Sequence, residues 1–210
     1  MTCKIALVAA GVAIGWIVVA SPVAHLDHHL LTAHMVQHLL LMVVAAPLIL
    51  LGTRNSLPMR WHPHPVFCWF AGTLTVILWH VPTVFELPLQ APNWHTIEHA
   101  SFFVAGLLFW HPVIHSGFAT RPWTLPLYLF LATLPCDALA AFLAFCGHVV
   151  YRPYLSASGG MFGLSPLEDQ ALAAALMWLT VTLAYLIPAL AIMAPLLSGE
   201  RLGTAEAGVS

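Results

Sequence analysis

Charged residues are scarce in this chain of 210 residues. Asp, Glu, Lys and Arg make up only 7% of it, whereas an average soluble domain contains about a quarter. Apolar residues make up 60%, which excludes an ordinary soluble domain. No stretch is rich in Lys and Arg, and this excludes nucleic acid as a partner. The composition predicts a multi-pass membrane protein that is surrounded by lipid.

The four cysteines contain no C-x-x-C pair. This spacing argues against a disulfide framework. Repeats and low-complexity runs are also absent from the sequence. We interpret Cys68 and Cys136, which fall within predicted helices, as small buried hydrophobic residues.

Six apolar stretches are long enough to cross about 30 Å of hydrocarbon as helices. They are residues 5–21, 31–52, 65–81, 95–114, 124–146 and 168–197. The loops between them are short, so we expect one all-α transmembrane bundle over residues 1–197 and a polar tail over residues 198–210. Residues 1–22 are either a first helix or a signal peptide, because Lys4 precedes an apolar run that ends in Val18-Val19-Ala20.

Positive charges predict the orientation of the bundle, since cytoplasmic loops retain Lys and Arg. A cytoplasmic N-terminus places five of the six on the inner side and leaves only Arg152 outside. The five are Lys4, Arg54, Arg60, Arg121 and Arg201. On this topology nine of the thirteen histidines lie near the outer side. These are His25, His28, His29, His34, His38, His80, His95, His99 and His148.

Two histidine pairs have helical spacing, His34 with His38 and His95 with His99. Residues four apart share a helix face, so each pair can present two imidazoles to one ion. Glu98 adds a carboxylate, and ionisable groups within a membrane are costly and usually mark a pathway or a site. We therefore predict a metal or proton function at the outer end. Further ligands or supporting groups at similar depth are Met35, Met42, His80, Asp169, Gln170 and Met177.

The ligand types favour copper, with zinc as an alternative. Imidazole suits both metals, whereas a thioether selects reduced copper. His28 and His29, beside Asp27, form either a capture loop for the ion or a flexible polar turn.

Three other functions remain open at this stage. The segment HTIEH (95–99) is also the reversed zinc-protease signature, with Glu98 as the base, although the short loops offer no substrate-binding domain. A b-type heme could use His38 and His99 as axial ligands. A copper transporter could continue from the outer cluster to His111 and His115 on the inner half of the fourth helix.

Three ordered segments resemble one known family. They are HMVQHLLLMVVAAPLILLG (34–52), LWHVPTVFELPLQAPNWHTIEHASFFVAGLLFWHPVI (78–114) and FGLSPLEDQALAAALMW (162–178). Over about residues 25–195 the chain is similar to the CtaG-like cytochrome c oxidase assembly factors, which are bacterial membrane proteins associated with copper supply to the heme-copper oxidase. Longer family members are expected to have seven helices, and this chain departs from them near its N-terminus.

The resemblance implies a non-enzymatic assembly role in the bacterial inner membrane. The implied partner is a cytochrome c oxidase subunit or another copper chaperone, and a homodimer is one option for the chain itself. The family pattern carries over to His34, His38, His80, Glu98, His99, Asp169, Gln170 and Met177.

The residues and the resemblance together give a site hypothesis without a catalytic residue. The expected metal ligands are His34, His38, His80 and His99, with Met177 when the ion is reduced. Glu98 and Asp169 are expected to orient the imidazoles through N–H to carboxylate hydrogen bonds. The entry path of the ion is expected to be lined by His95, His28 and His29.

Overall fold

Helices make up the fold, and no β-strand occurs among the residues that the computed structural model describes, which are 2–54, 63–115, 123–157 and 163–197. The α-helices are α1 (Thr2–Ala20), α2 (Leu31–Thr53), α3 (Pro65–Trp79), α4 (Pro82–Gln90), α5 (Pro92–Ile114), α6 (Thr124–Phe145), α7 (Pro153–Ala157) and α8 (Pro166–Leu197). A 3-10 helix over Pro22–His28 joins α1 to α2. The predicted all-α bundle is confirmed, while the predicted polar tail over residues 198–210 lies outside the described residues.

Five helices in the described ranges are long and apolar enough to cross a membrane, and a bent pair makes a sixth. The pair is α3 and α4, whose axes meet at 76°. Large apolar side chains, including Trp16, Phe130 and Phe145, are exposed on the outside of the bundle. These features fit a multi-pass membrane protein. The cytoplasmic position of the N-terminus stays a prediction.

The predicted third helix, near residues 65–81, agrees with α3, which ends at Trp79, but α4 follows as a helix that was not predicted from the sequence. Pro82 explains the break. A proline disfavours helical geometry in the preceding residue, and Val81 is extended, with φ −66° and ψ 125°.

Proline also sets where other helices begin. Pro92 and Pro166 are the first residues of α5 and α8, a position where the missing N–H costs nothing. Ala91, before Pro92, is extended with φ −150° and ψ 132°. The two helices consequently begin before the predicted starts at residues 95 and 168.

A π-helical segment over Leu40–Ala45 interrupts α2, and α5 packs closely against it. A Cβ atom on Gly106 would lie 2.8 Å from the carbonyl oxygen of Met42 and 2.9 Å from the Cβ of Ala46. The indole nitrogen of Trp110 donates a hydrogen bond to the same carbonyl at 3.1 Å. Only a residue without a side chain lets the two backbones approach this closely, so Gly106 sets the distance between α2 and α5.

Candidate metal centre

The Asp169 carboxylate holds the N-terminal end of α2 against the first turn of α8. Its Oδ2 accepts a hydrogen bond from Leu31 N at 2.7 Å, and its Oδ1 accepts one from Thr32 N at 3.1 Å. These bonds satisfy amide groups at the start of a helix that have no partner within the helix. Asp169 thus fixes where α2 begins, and with it the position of the histidines that follow. It contacts backbone amides instead of the imidazole that the sequence analysis expected.

His34, His38 and Glu98 form a fully enclosed cluster between α2 and α5, which we name the His–Glu centre. Oε1 of Glu98 lies 3.3 Å from Nε2 of His34 and 3.4 Å from Nε2 of His38. One ligand atom from each of the three residues lies within 4.8 Å of the others. All three side chains are buried. Two helices thus bring three metal-ligating atoms to a single point.

Apart from one another, the polar atoms of the His–Glu centre have no hydrogen-bond partner among the described residues. This holds for both ring nitrogens of His34, both of His38 and both carboxylate oxygens of Glu98. A buried carboxylate costs several kcal/mol unless a cation or a full set of hydrogen bonds compensates it. A shared proton would serve one or two of these atoms. A metal ion at the point of convergence would use a lone pair from all three residues, so the donor set fits a metal.

Asp27, His95 and His99 form a second group of potential ligands, the Asp27 cluster, next to the first. Nε2 of His95 lies 2.6 Å from Oδ2 of Asp27. Burial alone would raise the pKa of Asp27, but the hydrogen bond and the charge of His95, with contributions from His28 and His34, lower this pKa below its ordinary value. Asp27 is therefore a negative charge at neutral pH, placed where a cation would arrive.

A series of imidazole rings connects the surface to the His–Glu centre. The ring centroids of His28 and His95 are 5.9 Å apart, those of His95 and His99 4.2 Å, and those of His99 and His38 5.9 Å. The side chain of His28 is 43% exposed and that of His95 22% exposed, whereas His99 and His38 are buried. Exposure thus decreases step by step along a path that an ion could follow.

His80 and Met177, both expected as ligands, lie beside the His–Glu centre, on a neighbouring cavity. His80 Nδ1 is 2.7 Å from the carbonyl oxygen of Val76, and its Nε2 is 3.3 Å from Sδ of Met35. Met177 lines the same cavity as His38 and His80. His99 Nε2 is 3.1 Å from Oε1 of Gln37, a contact that the sequence analysis missed.

The remaining expected residues lie outside the His–Glu centre. Gln170 accepts a hydrogen bond from Val150 N at 2.7 Å and donates to the carbonyl oxygens of Leu143 and His148, which holds the turn after α6 in place. His29 is exposed. His28 lies 3.8 Å from Asp27.

Aromatic residues that the sequence analysis did not single out cover the centre. Phe85, on the unpredicted helix α4, lies 4.8 Å from His34 between ring centroids and stacks on Tyr151 at 3.8 Å. The hydroxyl of Tyr151 donates to the carbonyl oxygen of His80, and that of Tyr154 donates to the carbonyl oxygen of Asp27 at 2.6 Å. These side chains exclude water from one side of the site. Pro82, which starts α4, was the signal that could have located Phe85.

The sequence matches one family model over residues 3–198, that of the cytochrome c oxidase caa3 assembly factors. The chain belongs to this family. Searches of curated proteins and of solved structures return no match. Membership in the caa3 assembly factor family confirms the resemblance seen in the three ordered segments, and it extends over α1 as well.

Two alternatives from the sequence analysis fit this geometry poorly. In the protease interpretation Glu98 would act on water held by His95 and His99, but its carboxylate lies against His34 and His38. In the heme interpretation a porphyrin would lie between His38 and His99, whose ring centroids are 5.9 Å apart. The cavity beside His38 measures about 30 Å³, whereas pockets for small molecules are typically about 300 to 1,000 Å³.

Proposed function

We propose that this caa3 assembly factor binds copper at the His–Glu centre, near the outer side of the bacterial plasma membrane, and passes it to cytochrome c oxidase or to another copper chaperone. The observation that carries the proposal is the buried cluster of His34, His38 and Glu98, whose nitrogen and oxygen atoms have no hydrogen-bond partner outside the cluster in the described part of the chain. Family membership supplies the biological setting, the assembly of an oxidase.

The side chains around the His–Glu centre favour copper over zinc. Two imidazoles and a carboxylate accept either metal. The thioethers of Met35, Met42 and Met177 line the cavity beside His38, and thioethers select reduced copper. Zinc remains the alternative ion at the His–Glu centre itself.

The proposed path begins at the Asp27 cluster. The negative charge of Asp27 attracts the ion, and the rings of His95 and His99 lead to His38. Ligand exchange along neighbouring imidazoles requires neither a redox step nor bond-making chemistry, so the role is one of transfer and not of catalysis. Ligands that are spread along a path, and do not close around the ion, suit a protein that must release it.

The test uses a strain from which the gene is deleted, complemented with wild type, with Glu98→Gln, or with His148→Ala as a control. His148 is exposed and lies outside both clusters. Glu98→Gln removes the charge of the centre while keeping its volume. We expect its oxidase activity to fall to the level of the deletion strain and to recover in part with added copper. His148→Ala should support wild-type activity.

Amounts of the variant proteins in the membrane fraction serve as the control for expression. A Glu98→Gln strain with normal, fully metallated oxidase would contradict the proposal.

A further inference from the structure

Four sulfur-bearing side chains from three helices surround one small cavity deeper in the bundle. Met35 and Met42 come from α2, Cys136 from α6 and Met177 from α8, and all four are buried. The cavity measures about 30 Å³, which is enough for one small occupant. We name it the sulfur pocket. Three of the seven methionines of the chain meet there.

The sulfur pocket lies further into the bundle than the His–Glu centre. Met42 is eight residues beyond His34 on α2, and Met177 is eight residues beyond Asp169 on α8. At 1.5 Å of rise per residue, each lies roughly 12 Å from that reference residue along its helix. Asp169 and the start of α2 are in direct contact, so both helices descend from the same end.

His80 turns an unused lone pair into this pocket. Its Nδ1 lies 2.7 Å from the carbonyl oxygen of Val76. A carbonyl oxygen only accepts, so Nδ1 carries the proton, and Nε2 of the neutral ring is bare. Nε2 lies 3.3 Å from Sδ of Met35, and the His80 residue is 6% exposed. Two lone-pair donors thus face each other in an enclosed space, where a soft cation would bind both.

The chemistry of the pocket selects the ion. Among the described residues no carboxylate lines it, and its remaining walls are aliphatic and aromatic, so a hard divalent cation finds none of the carboxylate ligands that it prefers. Thioether, thiol and imidazole are the ligands of copper in its reduced state.

We propose that Met35, Met42, Cys136, Met177 and Nε2 of His80 supply the ligands of a second site, specific for Cu(I) and distinct from the His–Glu centre. His38 connects the two. Its ring lines the sulfur pocket, and its Nε2 lies 3.4 Å from Glu98 in the His–Glu centre. An ion moves between the sites by exchanging ligands at His38, and it stays Cu(I) throughout. This inference rests on the proposed copper function.

X-ray absorption at the copper edge tests the second site on the full chain, purified in detergent and loaded with Cu(I) without oxygen. Wild type should show sulfur as well as nitrogen and oxygen neighbours. The double variant Met42→Leu with Met177→Leu keeps the side-chain volume. It should bind one equivalent of copper less than wild type and lose most of the sulfur signal. Met193→Leu, on α8 outside the pocket, is the matched control and should match wild type.

Glu98→Gln separates the two sites in the same experiment. It should lower the copper content and retain the sulfur signal. If Glu98→Gln lost all of its copper, including the sulfur-bound copper, the His–Glu centre and the sulfur pocket would be one site, and the inference would be overturned. Wild type with only nitrogen and oxygen neighbours, or an undiminished sulfur signal in the double methionine variant, would also overturn it. These outcomes leave the proposed function standing, whereas wild type that binds no copper at all would overturn both.

Discussion

At the scale of single residues, the site is built from groups that act in different ways although they look alike in the sequence. Glu98 and Asp169 are both buried carboxylates. Both oxygens of Asp169 accept a hydrogen bond, from Leu31 N and Thr32 N, so its role is to place α2. The carboxylate of Glu98 lies against two imidazoles and has no other hydrogen-bond partner among the described residues, so it is the carboxylate that fits a cation. From the sequence we expected both carboxylates to play the same supporting role.

Replacement of Asp169 separates helix capping from metal binding. Asp169→Ala removes both buried hydrogen bonds to the start of α2 and should lower the free energy of unfolding by about 1 to 3 kcal/mol. Asp169→Asn keeps one acceptor oxygen and should lose less, because Asn caps helices nearly as well as Asp. Denaturant-induced unfolding in detergent measures both changes. Wild-type stability in Asp169→Ala would refute the capping role.

At the scale of helices, the centre depends on the spacing of α2 and α5, which carry all three of its residues. That spacing is set two turns below the centre, where Gly106 meets the π-helical segment of α2. The π-helical segment is local backbone geometry that hydrophobic periodicity does not reveal. The sequence could therefore predict that two histidine pairs share helix faces, but not how closely the two helices approach.

Gly106→Ala should push α5 away from α2, since the added Cβ would lie 2.8 Å from the Met42 carbonyl oxygen. We expect lower stability and, because Glu98 moves away from His34 and His38, copper binding that is weaker by about tenfold or more. Gly15→Ala is the matched control, because a Cβ there meets nothing within 4 Å. Thermal unfolding and competition with a Cu(I) chelator measure the two effects. Equal behaviour of the two variants would show that the close approach is unimportant.

At the scale of the whole molecule, two groups of histidines on α5 lie far apart along an apolar bundle. His111 follows His99 by twelve residues on α5, roughly 18 Å along the helix. It stacks on His115 at a centroid distance of 4.6 Å. Beyond the sulfur pocket the core includes Phe109 and Trp110. This separation favours delivery from one side of the membrane over transport across it.

Much of this organisation was predictable because a membrane limits the choices. Long apolar runs had to be helices, and the paired histidines at helical spacing had to share a face. Long-range contacts were not predictable. Helix α4, which brings Phe85 to His34, looked like part of a loop, and Asp27 gave no sign that it would meet His95. The cytoplasmic N-terminus and the choice between a first helix and a signal peptide at residues 1–22 stay predictions.

The central claim is that a copper ion binds among His34, His38 and Glu98. The most direct measurement is a structure of the copper-loaded protein with anomalous data collected on both sides of the copper absorption edge. We expect a copper peak between Nε2 of His34, Nε2 of His38 and Oε1 of Glu98. A copper-loaded protein with no peak at this position, or with its only peak at His111 and His115, would contradict it.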